Sequence, residues 1–452
     1  MRRAAAPWSL CFALLGAGFG ALAQDEPAPG ETPATDGGEA GEPTEEGGEA
    51  EDLTTTAPAN ANPRPVLPVQ NNELARNQLG EDLSLPPAGS SLGTGLRLRP
   101  WLVFQPSYRV SVFHDDNVFR QSFSNRDTDI EITNTFTGRL SATRERWDAA
   151  ISYSAIFRDY IENSNLSSVD HLVQTSGGLR FNRVSFALNG SAGWSSRPTD
   201  PQFNGGQQRR FTSQALLTTT VTITQRVGVQ VESQVQRIDF LNRRFDFFDQ
   251  LGYGANGFVT FNPNLPVTFL AGGGYRELQY TNRDATAPDL ALTGGLVGIG
   301  VATADQSLTF DLRLGYEVGR ILKRRAFTRS APEGVIVTAA GGWQPNPLTG
   351  FTLTFTRQIT FSAQSSSLTL TRADLAVNRS LPLNTGVFLR VGWSLQENLD
   401  AADRRTVDLT LGGTWDPLPW LSVGAQTSYL SSRSRIFDYG VFRIGASLTL
   451  RL

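Results

Sequence analysis

Two histidines, His114 and His171, and one cysteine, Cys11, are all the imidazole and thiol that 452 residues offer. A Cys/His zinc site is therefore excluded, because such sites draw four ligands from those two residue types. Lysine is as scarce: Lys323 stands alone among 40 basic residues, so arginine carries the positive charge. A mean hydropathy of -0.23 excludes a bundle of transmembrane helices. It does not exclude a transmembrane barrel, whose strands average to a polar value because only one face meets lipid. A chain of this length forms either two or three soluble domains or one large all-β unit.

What is present begins with an export signal. Arg2 and Arg3 give a positive start, residues 4–20 are almost all small or apolar, and Ala21-Leu22-Ala23 supplies a small-x-small cleavage site. Residues 1–23 read as a secretory signal peptide cut before Gln24. The apolar run is short for a membrane anchor, and Cys11 lies too early in it for lipoprotein processing. Residues 24–60 hold eleven Asp/Glu and no Lys or Arg among Gly, Pro, Thr and Ala. Such a segment buries too little apolar surface to offset its ordering entropy, so it is expected to be disordered. A solvated spacer explains it better than a docking site for a cationic partner. Residues 61–96 stay Pro/Asn/Ser-rich, with a weak helical pattern near Asn72–Gly80, too short and polar for a plug domain. Residues 24–96 thus form a disordered periplasmic leader, and 97–452 the folded part. From residue 61 onward 38 basic residues face 32 acidic ones, a net charge of +6.

From Trp101 to Leu452 apolar and polar residues alternate. Trp147, Ala149, Ile151, Tyr153, Ala155 and Phe157 oppose Asp148, Ser152, Ser154 and Arg158. Val227, Val229, Val231 and Val235 oppose Gln230, Glu232, Gln234 and Gln236, and Leu308, Phe310, Leu312, Leu314 and Tyr316 oppose Thr309, Asp311 and Arg313. Phe442, Ile444, Ala446, Leu448, Leu450 and Leu452 oppose Arg443, Ser447, Thr449 and Arg451. Period two over about 10 to 16 residues means a strand with one apolar and one wet face. About eighteen such blocks follow one another without a long helical pattern.

The connections alternate in length. Asp115–Asp127, Ile161–Ser168, Ser195–Gln208, Thr281–Pro288 and Gly319–Pro332 are long and polar, whereas Arg144–Arg146, Asn182–Arg183, Gln225–Arg226, Asn262–Asn264 and Asp416–Pro419 are tight turns. An up-and-down outer-membrane barrel requires this alternation, with short periplasmic turns and longer outer loops. A Greek-key sandwich does not. Trp147, Phe181, Phe261, Trp343, Phe351, Trp415 and Trp420 flank the short turns, and Tyr160, Trp194, Tyr280, Tyr429 and Tyr439 the long loops. Two interfacial girdles are expected from them. Lipid demands that every strand edge be paired, so the sheet closes. Two places resist the pattern. Arg357 falls in phase with Phe355, Ile359 and Phe361 on the lipid face, where a midplane charge costs about 2 to 4 kcal/mol. Around Arg372 the apolar phase slips from Leu368 and Leu370 to Leu375 and Val377, which predicts a β-bulge and leaves the count at 16–18 strands.

The stretch Tyr108-Arg109-Val110-Ser111-Val112-Phe113-His114-Asp115-Asp116-Asn117-Val118-Phe119 resembles the opening of a family of largely uncharacterised outer-membrane β-barrel porins, the beta-barrel porin type 2-like proteins. Members begin their barrel with a strand and a similar Asp-Asn-Val/Ile-Phe turn. The resemblance extends over essentially the whole exported chain through its leader and repeated strands. It implies a porin-like barrel, and some members resemble proteins associated with exopolysaccharide production and export.

No catalytic constellation is legible: neither histidine has a serine and a carboxylate at a spacing that suggests a triad. Asp115, Asp116 and Asn117 could offer oxygens to Ca²⁺, but Asp and Asn also end strands by bonding the local backbone, the preferred reading here. Gly272–Gly274, Gly294–Gly295, Gly298 and Gly300 are not phosphate loops, since no helix follows; they are expected to relieve crowding in curved strands. With the apolar set assigned to lipid, Arg139, Arg158, Arg180, Arg276, Arg313, Arg390 and Arg443 face the lumen, as do Glu131, Asp148, Glu232, Asp311, Glu317 and Asp408. These are the candidate pore-lining residues. Sixteen or eighteen strands leave an aqueous channel unless something plugs it.

The expectation is an all-β, transmembrane up-and-down antiparallel barrel of about eighteen strands in the outer membrane. It passes small hydrophilic, weakly anion-preferring solutes by diffusion, without covalent chemistry, cofactor or metal. A barrel for exopolysaccharide secretion and a non-conducting surface barrel are the alternatives. The expected partners are outer-membrane lipid and lipopolysaccharide and the barrel-assembly machinery, with a homo-oligomer and polysaccharide-export partners left open and no nucleic acid.

Overall fold

Alternating residues satisfy their backbone only when a strand lies on each side, and the chain supplies both neighbours through hairpins. The computed structural model describes residues 95–451, apart from 120, 122–125, 197–208, 243–248, 264–265, 283–288, 304, 306, 324–330, 361–367, 399–402 and 436–437. The signal peptide and nearly all of the leader lie outside the described residues. A short strand, β1 (Leu96–Arg99), folds back on β2 (Leu102–Asp115). Then follow β3 (Asp129–Thr143), β4 (Trp147–Tyr160), β5 (Ser168–Arg180), β6 (Val184–Ser195), β7 (Arg210–Thr222), β8 (Val227–Phe240), β9 (Gln250–Phe261) and β10 (Val267–Tyr280). The rest are β11 (Asp289–Ala302), β12 (Leu308–Lys323), β13 (Glu333–Asn346), β14 (Thr349–Thr360), β15 (Leu368–Leu381), β16 (Thr385–Asn398), β17 (Arg404–Leu418), β18 (Leu421–Ser434) and β19 (Tyr439–Arg451). Each pairs antiparallel with the next. β19 returns to β2, with Arg443 opposite Asp115 and Arg451 opposite Ser107, so β2–β19 close an 18-strand barrel.

The two ends differ. Tight turns close one end; after β15, Leu383 and Asn384 both take positive φ, 63° and 54°, the pair of left-handed residues a type I′ hairpin requires. Phe181, Phe261, Trp343, Trp415 and Trp420 are exposed at this end. Trp343 stacks on Phe351 with ring centroids 5.2 Å apart, and Arg144 lies over Trp101 at 4.7 Å. At the long-loop end Trp194 and Tyr429 point outward and are exposed, but Tyr280 and Tyr439 are buried on the inward face. Tyr160 is inward too, donating to Glu131 Oε2 at 3.0 Å. The outer girdle is thus thinner than the sequence suggests, because these three rings stand at strand ends on the same phase as the inward Arg158, Arg276 and Arg443.

Both irregularities predicted around β14 and β15 resolve differently. The β14–β15 register runs unbroken from Thr349–Arg379 to Thr360–Leu368, and β15–β16 is equally continuous, so no bulge occurs at Arg372. Leu370 shares the inward face with Arg372 and Asp374, and that mimics a phase slip in the sequence. Arg357 lies three residues from the long-loop end of β14 rather than at the midplane. It donates to Thr371 Oγ1 at 3.0 Å and pairs with Glu397 at 3.2 Å. Depth and a partner remove the penalty of a charge in lipid.

The apolar core sits inside the barrel, near the long-loop end. Phe113, Ile156, Leu278, Tyr280, Leu290, Leu292 and Val441 are buried there on the inward face. The opposite face carries exposed apolar residues such as Phe136, Val259, Leu314, Leu411 and Ile444, the band that lipid would cover.

Candidate functional site: the lumen wall

Every charged residue predicted to face the lumen lies on the inward phase of its strand, and the tertiary structure sorts these residues into three settings. The first is a buried cluster at the long-loop mouth. Arg443 on β19 reaches Glu131 Oε2 at 2.8 Å and Asp115 Oδ2 at 3.3 Å. Glu131 Oε1 accepts from Thr133 Oγ1 at 2.7 Å, and Arg158 Nε lies 3.7 Å from the same oxygen. Arg158 bonds Asp170 Oδ2 through Nη1, and Asp170 Oδ1 takes the backbone N–H and hydroxyl of Ser196 at 2.9 and 2.6 Å. Acid and base alternate along this chain from β2 to β5, and each side chain is at most 10% exposed. Buried charges persist when paired and hydrogen-bonded in this way.

At the rim the Asp-Asp-Asn turn is fastened to the start of β19. Asn117 N donates to Asp115 Oδ1 at 2.9 Å, Asn117 Nδ2 donates to the Gln121 and Gly440 carbonyls, and Phe442 N donates to Asp116 Oδ1 at 2.6 Å. The oxygens that might have met Ca²⁺ are spent on backbone donors, as in a strand-ending turn, and on the guanidiniums of Arg443 and Arg126. His114 and His171 point outward, away from the lumen; His171 Nδ1 lies 2.8 Å from the Tyr153 hydroxyl and its ring is edge-on to Trp194.

The second setting is the wall of β8–β12, where side chains bridge strands that are not neighbours. Arg276 on β10 grips both oxygens of Glu317 on β12, at 2.8 and 2.6 Å, across β11, and donates to the Ile359 carbonyl at 3.2 Å. Arg313 on β12 bonds Asp311 at 2.9 Å and reaches Glu232 on β8 at 3.6 Å, while Gln230 donates to Glu232 at 2.7 Å. Such reach is possible because the strands beneath carry glycine. A Cβ on Gly294 would stand 2.7 Å from Glu317 Cγ, one on Gly254 2.8 Å from Arg276 Cγ, and one on Gly298 3.1 Å from Arg313 Cγ. The same seat recurs elsewhere: a Cβ on Gly178 would meet Asp148 Oδ1 at 2.8 Å, and one on Gly392 would collide with the Asp408 carboxylate. The stems of these charged side chains therefore lie close over glycines of adjacent strands.

The third setting is the half of the lumen toward the short turns. Arg139, Arg180 and Arg390 are exposed on the inward face, as are Ser176, Asn189 and Asn378. Arg180 pairs with Asp148 at 3.2 Å, with 72% and 45% of the two side chains exposed. Arg390 lies over Phe388 at 5.8 Å. Inward polar groups this exposed face water-accessible space.

Several lumen residues were not singled out from sequence. Asp170, Arg372 and Asp374 are inward by the same period; Arg372 and Asp374 form a two-bond pair at 2.6 and 2.7 Å. Asp115 and Arg210 are inward too, but they end and start strands where polar residues blend into loops. Extending the alternation by one or two residues at each strand end would have found them.

The chain belongs to the family described as Putative beta-barrel porin 2, whose model matches residues 93–452. It is a porin-like β-barrel of the outer membrane. The long loops accordingly face outward and the tight turns the periplasm. No curated protein matches the chain. Among solved structures, it is similar to OpdK of Pseudomonas aeruginosa, crystallised with vanillate, at 11% identity and a TM-score of 0.42, covering 77% of this chain and 99% of that one. OccAB3 of Acinetobacter baumannii is similar at 8% identity and a TM-score of 0.40, covering 78% and 99%. The FrpB iron transporter of Neisseria meningitidis is similar at 11% identity and a TM-score of 0.43, covering 75% and 62%.

Proposed function

We propose that this porin-family barrel is a water-filled diffusion channel for small hydrophilic solutes, with a preference for anions and no covalent chemistry. The observation that carries the reading is the glycine seating of the wall charges. An 18-strand barrel is too wide to be filled by its own wall, and here Arg276, Arg313, Glu317, Asp148 and Asp408 recline over glycine. The exposed guanidinium of Arg139 adds a positive field to the periplasmic half, where Arg180 is offset by Asp148; fixed charge of one sign raises the local concentration of the other. The candidate pore-lining set is then Arg139, Arg158, Arg180, Arg276, Arg313, Arg390, Arg443, Glu131, Asp148, Glu232, Asp311, Glu317 and Asp408, with the mouth members acting through the width they fix.

The partners this reading requires are outer-membrane lipid, lipopolysaccharide and the barrel-assembly machinery. A polysaccharide-export partner is not required: most inward rings, Phe113, Tyr160, Phe240, Tyr280 and Tyr439, gather at the long-loop mouth, and lower down Phe258 and Phe388 lie under Arg313 and Arg390 instead of forming a continuous ladder. Single-channel current through the refolded protein in a planar bilayer tests the proposal. Stable steps with a reversal potential shifted toward anions are expected, and Arg139→Gln with Arg313→Gln should shrink that shift. Silence from protein shown to be folded and inserted would overturn it.

A further inference from the structure

One group of polar atoms near the mouth is buried and unanswered. Arg210, the first residue of β7, is 7% exposed on the inward face. Among the described residues its Nε and Nη2 have no hydrogen-bond partner, nor do Ser195 Oγ and Thr212 Oγ1, whose residues are 4% and 2% exposed. The three belong to one patch. Ser195 lies directly across from Arg210 in the β6–β7 register, and Thr212 is the next inward residue along β7. On the other side β8 presents Phe240 opposite Arg210 and Ile238 opposite Thr212, both apolar and buried. Asp170 is the carboxylate whose charge Arg210 feels, but its oxygens are occupied by Ser196 and Arg158.

A buried guanidinium with idle donors is costly, and the deficit here is entirely one of acceptors. Nε–H and Nη2–H form the side-on fork that receives the two oxygens of a carboxylate. The two hydroxyls can donate to the same oxygens. Arg210 and Thr212 face the lumen at the long-loop mouth, so a solute reaches them from inside the barrel; the open recess of about 540 Å³ beside Ser195 lies mainly on the outward face, walled by Phe157, Val169, His171 and Trp194.

We propose that Arg210, Ser195 and Thr212 form a binding site for a small carboxylate, the first station of an anionic solute entering from outside. The role as a station rests on the proposed channel; the binding itself does not. The ligand class follows from the donors. A cation is repelled, and a neutral polyol or amide leaves the guanidinium charge unanswered.

The test is equilibrium binding of acetate to the full chain refolded in detergent, read by Trp194 emission, with chloride at equal ionic strength and acetamide, the uncharged isostere, as separate arms. Trp194→Phe identifies the share of signal that belongs to the site. Acetate should give a saturable change that acetamide does not give and chloride does not reproduce. Arg210→Gln should weaken it at least tenfold, and Ser195→Ala and Thr212→Ala severalfold each, with the barrel still folded by its heat-modifiable gel mobility. Should Arg210→Gln fail to fold, the double hydroxyl variant carries the test. A wild-type response that is absent, not saturable, shared by acetamide or chloride, or unchanged in these variants overturns the site. Binding is measured without current, so acetate binding by a barrel silent in bilayers defeats the channel and leaves the site standing. Conduction without binding does the reverse.

Discussion

At the mouth, Glu131 is 2% exposed and shares Arg443, Arg158, Tyr160 and Thr133. Lower in the wall, Asp148 keeps 45% of its side chain exposed and holds one partner, Arg180. Both carboxylates sit on the inward phase of neighbouring strands, β3 and β4, and both meet arginine. What separates them is the surface around them. Near Glu131 the inward neighbours are Phe113 and Ile156, so the side chains stand together and bury one another. Beside Asp148 lies Gly178, and the carboxylate reclines over it. The same chemistry makes a buried, multiply paired cluster at the rim and an exposed pair lower in the wall.

That contrast breaks most sharply at glycine. Gly272→Ala places a Cβ against the backbone carbonyl of Gly257, which cannot move without parting β9 from β10. Loss of the folded, heat-modifiable barrel is the expected result. Gly274→Ala on the same strand is expected to fold with reduced stability, because the first atom in its way is the movable amide of Asn256. Equal behaviour of the two variants would show that crowding on these strands does not decide folding. Next in size is Glu131→Gln. It leaves Arg443 and Arg158 short of charge in a buried site, a loss of about 3 to 5 kcal/mol, measurable by urea unfolding of the barrel in lipid vesicles. Smallest is Asp148→Asn. An exposed pair is worth about 0 to 1 kcal/mol and is screened by salt, so the urea midpoint should scarcely move. A change as large as that of Glu131→Gln would erase the distinction between mouth and wall.

The strand order, the apolar outward face and the closed sheet were legible because period two is a local property and lipid leaves no other way to satisfy an edge. Phase also placed Arg276, Glu317, Arg313 and Glu232 on one face. It also puts Tyr160, Tyr280 and Tyr439 there, in step with Arg158, Arg276 and Arg443; proximity to a loop, the ground for expecting them in the girdle, does not fix the side a ring faces. Phase could not separate the run from Leu368 to Val377 from a bulge: Leu370 inside a lumen reads, along the chain, like a slip of register.

By itself, then, the sequence determined which side of the wall each residue occupies, because alternation is written residue by residue. Only the tertiary structure decided which charges meet, which lie down on glycine and which are left without an acceptor. Glu232 and Arg313 are brought to 3.6 Å by the curvature of three intervening strands, and Arg210 is stranded by Phe240 across one ladder and a spent Asp170 beside it. Those outcomes depend on neighbours tens of residues away, and nothing in the alternation itself encodes them.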